Sequence, residues 1–86
     1  MSDGKQARAA VLDLLERRAE GATVCPSEVA RVLAAARGSE AWRSEMAAVH
    51  AAVDGLVAEG AARLSWKGEA LGERDGPYRI GRGERR

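Results

Sequence analysis

The sequence predicts an α+β domain, three helices followed by a small antiparallel sheet, and two stretches carry that expectation. Between Glu40 and Gly60 apolar residues recur at Trp42, Met46, Val49, Val53, Leu56 and Val57. At about 100° per residue these side chains fall within about a third of a helix circumference, a one-sided stripe on which a core can be built. After Gly60 the period changes. Ala62, Leu64 and Trp66 alternate with Arg63, Ser65 and Lys67, the pattern of a strand with one buried face.

The remaining elements follow in order. Residues 1–4 read as a frayed tail. From Lys5 to about Glu20, Ala7, Val11, Leu14 and Leu15 form a helical stripe that Gly21 stops. Ala22-Thr23-Val24 is β-favouring and short, a connector able to add one strand to a sheet. Cys25-Pro26-Ser27-Glu28 is a helix start: proline suits the first helical position, and the Glu28 carboxylate suits the positive end of the helix dipole. Ser27 is the better N-cap by residue type and Cys25 by the position of Pro26.

Helix 2 then runs to about Ala36 with Val29, Val32, Leu33 and Ala36 inward. Arg37-Gly38-Ser39 is a turn in which glycine closes helix 2 and Ser39 caps helix 3. Beyond the first strand, Gly68 to Gly76 is a turn-rich loop of roughly nine residues. A second strand, Pro77 to Gly81, sets Tyr78 and Ile80 on one face and Arg79 on the other. A basic, glycine-containing end begins at Arg82. The domain is thus expected over residues 5–82, with a disordered basic tail at 83–86.

Helix, short strand, helix, tight turn, long helix and hairpin is the plan of a winged helix-turn-helix, the hairpin being the wing. The runs Cys25-Pro26-Ser27-Glu28-Val29-Ala30-Arg31, Trp42-Arg43, Lys67-Gly68 and Gly76-Pro77-x-Arg79-Ile80 resemble those of a small bacterial winged-helix family known as a domain of unknown function. The resemblance covers roughly Ala7 to Ile80. It implies the fold and a bacterial source, and no activity comes with it.

Composition bounds the function. The 86 residues make one small domain, without Phe and with three aromatics, so the core rests on Leu, Val and Ala. The net charge is +1, below the basic excess usual for strong nucleic-acid binders. It is divided unevenly, −2 over residues 1–60 and +3 over 61–86. A single Cys25 excludes an internal disulfide and fits a reducing cytoplasm. No leader segment is expected at the N-terminus, and no apolar run approaches the ~18 residues of a membrane span.

The first functional expectation is binding of double-stranded DNA by helix 3 and the wing. Arg43, Ser44, Ala47 and His50 would present helix 3, with Arg43 and Ser44 as the base readers. Lys67, Arg74 and Arg79 would touch phosphates, helped by Arg31 and Arg37. Against it, the outer face of helix 3 is Ser44, Ala47, Ala48, Ala51, Gly55 and Ala58, poor in base-reading groups.

That smooth face carries the alternative, a homodimer seam or partner-protein surface with no nucleic-acid binding. In an alanine-rich chain, it is also simply good helix-forming sequence. Trp42 and Trp66 could stack on bases if exposed, but both sit at apolar-facing positions and are expected in the core. Cys25 at a helix start suggests a responsive thiol, with His50 as a conceivable base. One Cys and one His do not make a catalytic site or a four-ligand zinc site. Neither enzyme activity nor a metal or other cofactor is expected.

Overall fold

A computed structural model describes residues 3–83. Helix α1 spans Asp3–Arg17, α2 Pro26–Ala36 and α3 Met46–Glu59. Strands β1 Ala62–Trp66, β2 Glu69–Leu71 and β3 Arg79–Arg82 complete the chain. Ala7, Val11 and Leu15 of α1, Val29 and Leu33 of α2, and Val49, Val53 and Leu56 of α3 meet Val24, Leu64, Tyr78 and Ile80 in one core. This is the α+β arrangement of a winged helix-turn-helix.

The sheet order is β2-β1-β3, antiparallel throughout. Leu64 stands opposite both Leu71 and Ile80, which fixes the buried face. The connector contributes as expected: Val24 and Ile80 exchange two backbone hydrogen bonds of 2.8 Å, placing Val24 at the outer side of β3.

The helix-turn-helix corner is set by Gly38. Its φ of 72° lets the Ser39 N–H reach the Ala34 carbonyl (2.9 Å) and its own N–H reach that of Ala35 (3.0 Å), satisfying the last carbonyls of α2. Cys25, not Ser27, is the N-cap of α2, with extended backbone and no side-chain capping bond.

Several expectations need correction. Helix α1 begins at Asp3 and stops at Arg17 rather than near Glu20. Its end is held by Arg82, whose guanidinium donates to the carbonyls of Leu15, Glu16 and Arg18. Arg82 therefore belongs to β3, not to a tail. Gly83 is also tied in, its N–H 2.9 Å from the Ala61 carbonyl. Residues 1–2 and 84–86 of the expected tails lie outside the described residues.

On α2 the buried stripe is Pro26, Val29, Ala30, Leu33 and Ala34, while Val32 and Ala36 are exposed. The small Ala30 and Ala34 admit close neighbours, and the helix is rolled toward them. The long helix opens with a 3-10 turn, Trp42–Glu45, before α3. Local bonds favour that tighter turn: the Ala41 N–H donates to Ser39 Oγ, and Ser44 Oγ donates to the Ala41 carbonyl at 2.7 Å.

The wing loop is shorter than expected because it contains β2. Lys67 and Gly68, with φ of 52° and 85°, make a two-residue turn between β1 and β2. Trp66 keeps the alternation of Ala62 and Leu64, yet it is 38% exposed. It lies opposite exposed Glu69, where the hairpin stands clear of the core.

Candidate nucleic-acid interface

Apart from His50, the expected contact residues divide into three groups. Arg31, Arg43 and Lys67 are exposed and have no carboxylate partner among the described residues. The helix-turn-helix corner brings Arg31 of α2 and Arg43 of the 3-10 turn onto one ring. Each guanidinium carbon lies 4.5 Å from the Trp42 ring centroid, within cation–π range. Trp42 is half-buried against the core, so the ring is a fixed platform. The sequence favours the core for Trp42, with base stacking if exposed, and does not join it to Arg31, since residues 31 and 42 share no periodic relation. Lys67 stands apart at the hairpin turn.

The second group is already engaged. Arg74 donates from Nε and Nη2 to the two carboxylate oxygens of Asp54, both at 2.9 Å. Arg79 Nε donates to Thr23 Oγ1 at 2.7 Å. Arg37 pairs with Glu45 at 2.9 Å and reaches Gln6. Ser44 spends its hydroxyl on the Ala41 carbonyl. The third group is the helix surface: Ala47 is exposed beside Ser44 and Ala51, as the sequence implied, while Ala48 packs against the core.

His50 is half-buried, and its Nδ1 lies 2.6 Å from the Tyr78 hydroxyl. Burial, and then the Arg74 charge, hold the imidazole below its ordinary pKa, with Asp54 opposing. Burial pushes the Tyr78 phenol up to about 12. His50 thus ties α3 to the segment entering β3, a role its position in the sequence did not announce.

All three carboxylates of the long helical segment are held by arginines from other elements. Glu45 meets Arg37, Asp54 meets Arg74, and Glu59 takes two 2.7 Å bonds from Arg8 of α1. The bond to Arg74 holds the Asp54 carboxyl below its ordinary value, and the bond to Arg8 does the same for Glu59. The negative charge of this helical segment is therefore largely offset by pairing.

Cys25 is half-buried, with Sγ 3.1 Å from Ser27 Oγ. Burial pushes the thiol up. The Ser27 hydrogen bonds and the Arg79 and Arg31 charges outweigh it and leave the thiol below its ordinary value. His50 faces Tyr78 and is not joined to this thiol. Among the described residues no group of three or more His, Cys, Asp or Glu side chains is placed to hold a metal ion. No helix there is long and apolar enough to cross a membrane. An open groove of about 890 Å³ lies on the other face of the sheet, lined by Thr23, Arg63, Ser65, Ala70 and Gly81 among others, and includes none of the candidate residues.

A family model described as "Protein of unknown function (DUF3253)" matches residues 4–83. No curated protein matches the chain.

Proposed function

The chain belongs to the DUF3253 family, and from that premise we propose that it is a DNA-binding module, not an enzyme, which engages duplex phosphates at the N-terminal end of its third helix. The observation that carries this reading is the stacking of Arg31 and Arg43 on Trp42. Neither guanidinium has a carboxylate partner among the described residues, so both stay open to an anion, and the arginine fork matches phosphate geometry. In a helix-turn-helix the start of the second helix is the part that reaches the major groove. Lys67 on the wing is a separate, weaker contact. With an alanine face and few base-reading groups, recognition is mainly of the backbone.

Fluorescence anisotropy with a labelled mixed-sequence duplex, titrated with salt, tests this. Binding should weaken linearly in log–log form, with a slope that counts the phosphates neutralised. Arg31→Ala and Arg43→Ala should each lower affinity and flatten the slope by about 0.9. Absence of binding at ~50 mM salt and tens of micromolar protein overturns the reading.

One observation favours a second reading, association through the α3 face with no nucleic-acid binding. Gly55 sits exposed inside α3, and a Cβ there would meet nothing within 4 Å. The domain itself gains nothing from a glycine at that position, whereas a closely packed partner helix would. Sedimentation that stays monomeric at high micromolar concentration removes the homodimer form of this reading.

A further inference from the structure

Arg74 bears on how the proposed interface is controlled, an inference that rests on the DNA-binding reading. It lies in the segment between β2 and β3, on the wing, where a winged helix-turn-helix would offer a cation to the phosphate backbone. Its guanidinium is instead occupied. Nε donates to Oδ1 and Nη2 to Oδ2 of Asp54, twenty residues earlier on α3, both at 2.9 Å. This is the two-point fork geometry a phosphate would take. Glu73 and Asp75, the chain neighbours of Arg74, are exposed carboxylates with no ion-pair partner among the described residues. The arginine has therefore selected the carboxylate on α3 over its nearest ones.

We propose that Asp54 is a built-in competitor for phosphate. It holds the wing arginine against α3 in the free protein and must surrender it for the wing to engage DNA. Both side chains are partly open to water, 36% exposed for Arg74 and 48% for Asp54. Such a pair is exchangeable. DNA binding then has two levels: the Arg31–Trp42–Arg43 cluster is available at once, and the wing is recruited only when phosphate displaces Asp54.

The same anisotropy titration tests this with Asp54→Ala, Arg74→Ala, the double variant, and Glu73→Ala as a control that removes equal charge without freeing an arginine. Asp54→Ala should bind about threefold more tightly at low salt, with a slope steeper by about 0.9, one added phosphate contact. The double variant should lose the added slope. Wild-type binding with an unchanged slope in Asp54→Ala, or an equal gain in Glu73→Ala, overturns this inference and leaves the DNA reading standing. If the wild-type chain does not bind duplex, the DNA reading fails and this inference fails with it.

Discussion

His50 of α3 and Tyr78 at the entry to β3 are joined by a 2.6 Å hydrogen bond between ring Nδ1 and phenol oxygen. Tyr78 is buried and lies in the core with Val49 and Val53, so this bond closes the sheet onto the helix at its polar edge. Both partners of this bond have shifted pKa values, so it couples the fold to pH.

In the folded chain His50 titrates below its ordinary 6.5, chiefly because burial disfavours the charged ring. As pH falls through 6.5 the unfolded chain takes up this proton first, so stability that is whole above that value declines and levels off below the folded pKa. Tyr78 runs the other way: its pKa is raised from 10.0 to about 12, so stability present below 10 is lost as pH rises toward 12. Urea midpoints should fall between about pH 7.5 and about pH 5.5, and His50→Gln should flatten that decline. An equal decline in the variant removes His50, the single histidine, as its source. Tyr78→Phe at neutral pH should cost about 1 kcal/mol, the worth of the lost bond.

The core was largely legible in the sequence because it obeys a period. Val49, Val53 and Leu56 are fully buried, and Tyr78 and Ile80 point inward as their alternation requires. Gly38 marks the corner for a local reason, its positive φ. What escaped notice depends on contacts between distant parts of the chain. Val32 is apolar yet 42% exposed, because α2 turns the small Ala30 and Ala34 inward beside Val29 and Leu33. Trp66 has the right parity but lies beyond the reach of the core. Arg74 with Asp54, and Arg31 with Trp42, pair across separate elements. No spacing rule connects them, so residues read as free phosphate contacts proved to be partly occupied.

Arg82 should matter more than a residue near the end of the described chain usually does. Its Nη2 and Nε groups donate to the carbonyls of Leu15, Glu16 and Arg18 at the end of α1, of which Leu15 also accepts the Arg18 N–H. Arg82→Met keeps the stem and removes every donor, and should lower stability by about 2 kcal/mol in urea unfolding. Amide exchange should quicken through the last turn of α1. A variant of wild-type stability would mean that water serves those carbonyls equally well.

Trp66→Ala and Leu64→Ala, two positions apart on β1, should separate sharply. Leu64 is 2% exposed and faces Ile80 and Leu71, so truncation should cost about 3 kcal/mol. Trp66 is 38% exposed, and its loss should cost about 1 kcal/mol or less. Comparable losses in chemical denaturation would return Trp66 to the core role that its parity suggests.

Two glycines should respond to alanine with opposite signs. Gly55 has open space around its missing Cβ and lies inside α3. Gly55→Ala therefore gains helix propensity with no clash and should stabilise by about 1 kcal/mol. At Gly83 a Cβ would fall 2.1 Å from the Gly60 carbonyl oxygen and 2.7 Å from backbone atoms of Ala61 and Ala62. These neighbours are backbone, fixed by the turn out of α3 and by the Gly83 N–H to Ala61 carbonyl bond, and no rotamer change relieves the overlap. Gly83→Ala should destabilise by about 3 kcal/mol, because β3 must part from the α3–β1 corner to admit the methyl group. Thermal unfolding of the two variants beside the wild-type chain decides this: a rise for Gly55→Ala with a fall for Gly83→Ala is expected. A neutral Gly83→Ala would show that this corner yields freely.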